Sequence, residues 1–438
     1  MTGSWAALRT EPDRTGAGPG GAAVTWSRAR LHGVGFVLVQ WHFEVQGGSF
    51  GSRDAQGYVD AVAAAVGARL PVVAVCSSGG ARLTEGVPAL VGMARARLAH
   101  ARLGAARLPL LAVADSPTTG GVWVTVVASA DLRCAVAGAT VGFAGPRVVE
   151  AMTGAAVGQH SHSGESAAAA GLVDAVVTDP QAWVARALIA LQPAPVPVAA
   201  PDVSPVAPAL EPWEQVRHTR TAARASAGAL LDALAGGGVA LAAPHGDTTA
   251  RAALGRLPSG RPVVGVALAA ARGVRVTPDA YRLLTRAAAL ADRLDLPLVT
   301  VVDTPSAEPG AAAEADGLAD AIAAAFDAVL ACRSPVVGVL LGEGGSGGAL
   351  AALCGDALLM GEDAYFAVLA PEGAAAALRR TPVQAAEAVG LRPVDLAAQG
   401  IATVLPTAGL AAAATAEVDR LCAIGATARL AARWTRWG

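Results

Sequence analysis

The second half of this chain repeats the first, and that duplication limits what it can fold into more than any other feature. Seven prolines lie among Ala, Val and Ser between Leu191 and Pro212, the composition of an extended, semi-rigid spacer that divides the 438 residues nearly in half. On either side the same succession can be read. A strand run (Val34–Val39, then Val263–Leu268) precedes a helix with apolar residues at three- and four-residue steps: Tyr58, Val62 and Val66, or Leu284, Ala287, Ala291 and Leu294. A buried strand then follows a proline (Pro71–Val75, Pro297–Val302) and ends in Ser77-Ser78-Gly79-Gly80 or Asp303-Thr304-Pro305-Ser306. A second helix leads to another strand (Pro109–Ala114, Pro335–Leu341) and a glycine-rich turn, Thr118-Thr119-Gly120-Gly121 matching Gly345-Ser346-Gly347-Gly348. Ser77 and Asp303 are 226 positions apart, Thr118 and Gly345 227, Pro146 and Pro371 225, and Gly171 and Gly400 229. Such drift is what loop-length variation after a duplication leaves. Each unit is a succession of strand, turn and helix, so the fold class is α/β. The expected organisation is a disordered leader over residues 1–24, loosest from Glu11 to Gly21, a first domain over 25–190, the linker over 191–212 and a second domain over 213–438.

Composition narrows the chemistry. With 53% hydrophobic and 16% charged residues the chain has ample apolar surface to bury, and 438 residues exceed one ordinary core. The formal net charge of −2, without basic clusters interleaved with aromatics, excludes the electrostatic footprint of a nucleic-acid binder. Its apolar runs are interrupted by Asp, Arg or Pro well short of the ~20 residues a membrane helix needs, and the first residues lack a secretory signal. The expected location is the cytoplasm. Cys76, Cys134, Cys332, Cys354 and Cys422 are scattered and odd in number, the pattern of reduced core thiols and not of a disulfide framework or zinc ribbon. All 33 basic residues are arginine, which removes Schiff-base chemistry and the P-loop lysine.

The glycine turns carry the chemical signal. Glycine at the end of a buried strand lets the backbone turn sharply and exposes peptide N–H groups, and the helix behind adds partial positive charge, an arrangement suited to an oxyanion. A single Gly-Gly more often serves tight packing, but such turns at duplicated positions favour the ligand reading. Gly47–Gly51 and Gly344–Gly348 both fit Gly-x-Ser-x-Gly. A hydrolase elbow needs its histidine downstream, whereas the last histidine, His245, precedes Ser346, and Ser49 is followed by a loop. His160 and His162 flank Ser161 without other metal ligands at a suitable spacing, so they read as a surface loop and no metal site is expected. Arg82 at a helix start suits either a phosphate or an ion pair with Glu85.

These residues resemble the carboxyltransferase component of acetyl-CoA and acyl-CoA carboxylases. The first half is similar to the beta subunit through Gln46-Gly47-Gly48-Ser49-Phe50-Gly51-Ser52, Ser77-Ser78-Gly79-Gly80-Ala81-Arg82-Leu83-Thr84-Glu85-Gly86, Gly120-Gly121-Val122, Gly142-Phe143-Ala144-Gly145-Pro146-Arg147 and Gly171-Leu172-Val173-Asp174. The second is similar to the alpha subunit through Asp303-Thr304-Pro305, Gly342-Glu343-Gly344-Gly345-Ser346-Gly347-Gly348-Ala349-Leu350, Pro371-Glu372-Gly373 and Ala385-Ala386-Glu387-Ala388. The resemblance implies two tandem crotonase-like (ββα superhelix) domains, with an active site between a beta-like and an alpha-like unit across a dimer. It implies one oxyanion hole at Gly120 and Gly121 and another at Gly347 and Gly348, serving a thioester enolate and the ureido oxygen of biotin. Ser78, Gly79, Gly80, Ala81, Arg82, Gly145 and Arg147 would bind the acyl-CoA or acyl-carrier-protein substrate. No covalent cofactor and no zinc are expected on this chain; carboxybiotin would arrive on a biotin carboxyl carrier protein charged by a separate biotin carboxylase, in fatty acid or polyketide synthesis. The family's mechanism needs no side-chain base. Departures are the absent four-cysteine ribbon, Ser306-Ala307-Glu308-Pro309-Gly310 where the family has Gly-Ala-Tyr-Pro-Gly, and a charged stretch reduced to Arg272-Gly273-Val274-Arg275. They leave open a biotin-independent malonyl-thioester decarboxylase and a catalytically silent acyl-thioester-binding scaffold subunit.

Overall fold

A computed structural model describes residues 4–15, 21–158, 161–195 and 206–438. The chain forms two compact units, Met1–Ile189 and Ala190–Gly438. His160 and the central part of the proline-rich spacer, 196–205, lie outside the described residues.

The first unit is built on one sheet, whose strands are β1 (Arg14–Thr15), β2 (Val24–Leu31), β3 (Val34–Trp41), β4 (Val72–Ser78), β5 (Leu110–Thr119), β6 (Leu132–Val136), β7 (Val141–Gly142) and β8 (Ala175–Val177). The order is β1-β2-β3-β4-β5-β6-β8, with β7 continuing beside β5. β1 to β3 pair antiparallel, and from β3 onward every neighbour is parallel. Parallel neighbours need crossover helices, and these cover the sheet: α1 (Ser52–Ala68) and α2 (Val87–Ala106), then the short α3 (Gly120–Val122), α4 (Pro146–Thr153), α5 (Gly164–Ala169) and α6 (Pro180–Ala190). α1 buries Tyr58, Val62 and Ala65 completely, at the four- and three-residue steps that put them on one face.

Residues 4–15 do not behave as the disordered leader expected of residues 1–24. Trp5 is buried, Arg9 forms an ion pair with Asp13 at 2.9 Å and a hydrogen bond with Gln40, and the Arg14 guanidinium lies 5.2 Å from the Trp26 ring centre. An aromatic anchor and two arginine contacts tie this polar segment to the sheet edge.

The second unit repeats the plan with α7 (Pro212–Thr221) and α8 (Ala227–Leu234) leading into β9 (Gly236–Leu241), β10 (Ala250–Arg256), β11 (Pro262–Leu268), β12 (Leu298–Thr304), β13 (Val336–Gly345), β14 (Ala357–Gly361), β15 (Tyr365–Ala367) and β16 (Thr403–Leu405). Its order is β16-β14-β13-β12-β11-β10-β9, with β15 beside β13. The helices between strands include α9 (Pro278–Leu294), α10 (Ala311–Ala315), α11 (Leu318–Ala331), α12 (Ser346–Leu353) and α13 (Pro371–Leu378). All residues of β12 and β13 are buried, the signature of strands covered on both faces.

β4 with β12, α1 with α9, and β5 with β13 have equal lengths and are each offset by 226 positions at both ends. The central strands run further into the glycine turns than hydrophobicity alone indicates, and the antiparallel strands β2, β9 and β10 were not apparent from the pattern.

Candidate active site

In the first unit two glycine turns meet main chain to main chain. Gly80 (φ 108°) and Gly120 (φ 61°) are both left-handed, and a Cβ on Gly120 would lie 3.0 Å from the Gly80 Cα. Here glycine is obligatory for conformation and space together. Gly120 is not, however, an oxyanion donor: its N–H donates to the Phe143 carbonyl at 2.9 Å. Gly121, the second residue of α3, occupies the position where an amide has no carbonyl one turn behind it. A left-handed residue followed by a helix start is the backbone form in which successive amides can point the same way. Met93 lies over the other side, where a Cβ on Gly121 would overlap its Sδ and Cε.

The Ser78–Arg82 run lies in the same place but is largely spent on the fold. The buried Ser78 hydroxyl accepts from the Gly80 N–H at 3.1 Å, and the Gly79 N–H donates to the Gly47 carbonyl at 2.9 Å. The Phe50 N–H donates to the Gly80 carbonyl at 2.8 Å, the Arg82 N–H to that of Phe50 at 3.0 Å, and Ala81 bridges to Phe50. Arg82 is no free cation awaiting a phosphate. Only 8% exposed, it contacts Asp54 at 2.6 Å, Glu85 at 3.1 Å and the Ser49 carbonyl at 2.7 Å. Asp54, wholly buried, also accepts the N–H groups of Val24 at 3.0 Å and Gly51 at 2.9 Å. Hydrogen bonds from Ser52, and after them Arg82, hold the Glu85 carboxyl below its ordinary range. Sequence reasoning identified the Glu85 contact but missed Asp54, which lies 28 residues upstream of Arg82 and becomes its neighbour only when α1 packs.

Gly145 caps the start of α4, and a Cβ placed on it would lie 3.8 Å from Thr119, the residue before Gly120. Arg147 is exposed on the first turn of α4. These two remain candidates for contact with substrate.

In the second unit β13 ends at Gly345, Ser346 takes the left-handed conformation (φ 65°), and α12 begins. Because β5 and β13 are offset by 226 positions, Gly120 corresponds to Ser346, Gly121 to Gly347 and Val122 to Gly348. The sequence pairing of Gly120-Gly121 with Gly347-Gly348 was out of register by one residue, because glycine identity was matched where backbone conformation decides. Gly347 is exposed, and no atom comes within 4 Å of a Cβ built on it. Gly348 is buried, and a Cβ there would overlap the Tyr281 hydroxyl.

A charged network braces this turn. Asp303 at the end of β12 accepts from the Arg224 Nη2 through both carboxylate oxygens, at 2.8 and 2.9 Å, and accepts the Glu343 N–H at 2.9 Å. The Glu343 carboxylate accepts from Tyr365 at 2.6 Å and from Arg220 at 3.1 Å, and Arg220 reaches Glu372 at 2.6 Å. Burial, followed by Glu343, pushes the Tyr365 phenol up, while the Arg220 hydrogen bond holds Glu372 below its ordinary range. The motif contained Asp303, Glu343 and Glu372; nothing in the sequence linked them to arginines of the segment around α7.

Residues 7–226 match the family profile described as carboxyl transferase domain, and residues 271–420 that described as acetyl co-enzyme A carboxylase carboxyltransferase-like. The chain belongs to the carboxyl transferase family. It is 35% identical over 437 residues to a probable biotin-dependent acyl-coenzyme A carboxylase beta3 subunit of Mycobacterium tuberculosis, covering 95% of this chain and 88% of that protein. To the acetyl-coenzyme A carboxylase carboxyl transferase subunits beta/alpha of Salinispora tropica it is 35% identical over 410 residues, covering 86% and 72%. In solved structures the fold matches a transcarboxylase 12S bound to hydrolyzed methylmalonyl-coenzyme A, with TM-score 0.75, 22% identity and coverage of 92% and 82%. It also matches a single-chain, multi-domain long-chain acyl-CoA carboxylase, with TM-score 0.69, 20% identity and coverage of 91% and 41%. The two units of this carboxyltransferase are tandem crotonase-like domains.

Among the described residues no group of three or more His, Cys, Asp or Glu side chains could hold a metal ion, and no helix is long and apolar enough to cross a membrane. Cys76, Cys134, Cys332 and Cys354 are buried free thiols; burial pushes Cys332 up to about 11 and Cys354 to about 12.

Proposed function

We propose that this carboxyltransferase moves a carboxyl group between carboxybiotin and the α-carbon of an acyl thioester, with one backbone-amide oxyanion site in each unit. The observation that carries the reading is the equivalence of Gly121 and Gly347. Both follow a left-handed residue at the end of the third parallel strand, and both stand where a helix start leaves the amide unpaired.

Bound carboxybiotin supplies the carbon dioxide and the nitrogen base for the α-proton, so the chain's own task is to hold charge. The Gly121 amide and the Gly347 amide each face one carbonyl oxygen that gains negative charge: the thioester oxygen as the enolate forms, and the ureido oxygen. A preorganised donor of this kind contributes ~2.7–4 kcal/mol to transition-state stabilisation. No atom lies within 4 Å of a Cβ built on the exposed Gly347, so the backbone there is open to approach by a planar ureido or thioester group. Gly145 and Arg147 give the first unit an exposed helix start and a cation for a coenzyme A or carrier-protein phosphate. A separate carboxyl carrier protein and biotin carboxylase would complete the reaction, and further copies of this chain are the expected assembly partners. Leu83, Phe143 and Met152 are strongly exposed apolar side chains that such partners would cover.

The test is carboxyl exchange from malonyl-CoA or methylmalonyl-CoA to biocytin with the purified chain. Transfer that is lost in Gly347→Val, with the melting temperature unchanged, is expected. Release of carbon dioxide from the thioester without transfer would instead establish the decarboxylase, and thioester binding with no chemistry the silent scaffold.

A further inference from the structure

Tyr281 on α9 is fully buried, and among the described residues its hydroxyl has no hydrogen-bond partner. A phenylalanine would fill nearly the same space without leaving a donor unpaired, a condition that costs on the order of 1–3 kcal/mol. The hydroxyl lies at the first turn of α12: a Cβ on Gly348 would overlap it and would come within 3.1 Å of the ring carbon that bears it. The Ala307 Cβ would be 3.6 Å from the same point. The neighbouring Gly347 faces open space. Burial raises the phenol well above its ordinary value, so it remains protonated and can only donate to an arriving oxyanion.

The equivalent position in the first unit carries no hydroxyl. α1 and α9 are offset by 226 positions, which sets Ala55 opposite Tyr281, and Val122 stands opposite Gly348.

We infer that Tyr281 is a positioning residue of the second unit's site, its buried hydroxyl donating to one water that in turn donates to the carbonyl oxygen gaining negative charge at the head of α12. The inference rests on the reading under Proposed function and adds a side-chain donor to the backbone amide there. The oxygen belongs to either a thioester or the ureido group of biotin, and kinetics with each varied in turn separates the two.

The experiment compares wild type, Tyr281→Phe and the double variant Tyr281→Ala with Gly348→Val, which installs the first unit's residues at these positions, in malonyl-CoA to biocytin exchange with thermal melting. Tyr281→Phe should keep or raise the melting temperature and lower kcat by about tenfold to a hundredfold, the worth of one hydrogen bond to a charged group. A rise in KM for biocytin alone would mark the oxygen as ureido, and a rise for malonyl-CoA alone as thioester. The double variant, if folded, should be as slow as Tyr281→Phe; full activity in either variant would overturn the inference and assign Tyr281 to packing. A wild-type chain that neither exchanges carboxyl groups nor binds malonyl-CoA or biocytin in calorimetry would remove the functional reading and this inference together. An active wild type with an equally active Tyr281→Phe would remove the inference alone.

Discussion

The two helix heads solve one geometric problem with different side chains. In the first unit the left-handed residue is Gly120, pressed against Gly80, and the helix behind it begins with Gly121 and Val122 under Met93. In the second the left-handed residue is Ser346, and Gly347 and Gly348 follow, the latter under Tyr281. The backbone path was kept after duplication while the packing around it diverged. What the two heads share is an amide one residue past the left-handed position, and that shared feature is the part to assign to chemistry.

The comparison breaks most severely where a buried charge is involved. Removing one member of a buried, hydrogen-bonded ion pair costs about 3–5 kcal/mol. Arg82→Ala should therefore lower stability by that order in denaturant titration, because Asp54 is left charged and enclosed. Arg147→Ala should leave the unfolding midpoint unchanged and raise KM for the coenzyme A thioester; equal loss of stability in both variants would refute the separation of clamp from ligand contact.

Side chains at the two shared amides should have smaller and unequal effects on the fold. Gly121→Val and Gly347→Val should each lower kcat by roughly 10²–10³, the cost of losing one oxyanion donor. Only Gly121→Val should also lower the melting temperature, because its Cβ collides with Met93 whereas that of Gly347 meets nothing within 4 Å.

The one-residue change in register is tested by the left-handed positions themselves. A non-glycine residue there pays about 1–2 kcal/mol, so Ser346→Gly should be neutral or stabilising by up to that amount in thermal melts. Gly120→Ser should destabilise, since its Cβ would lie 3.0 Å from the Gly80 Cα. The opposite outcome would favour the 227-position alignment.

The smallest effect concerns acid. The folded-state Glu85 carboxyl titrates below its ordinary value of 4.5. A depressed carboxylate contributes stability above that value and loses it as pH falls through the lower folded-state value. Glu85→Gln should therefore flatten the pH dependence of stability below about pH 4.5 and leave the neutral region less stable than wild type. An unchanged acid limb would mean that Glu85 contributes nothing through its charge.

Hydrophobic runs after Pro71, Pro109, Pro297 and Pro335 were enough to locate the parallel strands, because a strand buried on both faces has no polar alternation to obscure it. β2, β9 and β10 escaped notice for the complementary reason: antiparallel strands whose apolar run is interrupted by exposed or half-exposed residues carry weaker signals. Of the candidate residues, Gly347 and Arg147 are exposed and Gly121 and Gly145 half-buried. Gly120, Arg82 and the Ser78–Ala81 run are occupied by the fold, and Gly348 lies beneath Tyr281. Periodicity could not show this, since whether an amide or a guanidinium is free depends on Phe143, Asp54 and Tyr281, which reach it from other elements.

Sequence alone determined the duplication, the α/β class, the glycine turns after buried strands and the family resemblance, because each is written in local spacing and residue type. Tertiary structure decided which amide at each turn is unspent, which arginine is a clamp, and that a tyrosine hydroxyl lies unpartnered at one helix head. Those properties belong to distances between segments tens of residues apart, and they exist only once the sheets have brought the segments together.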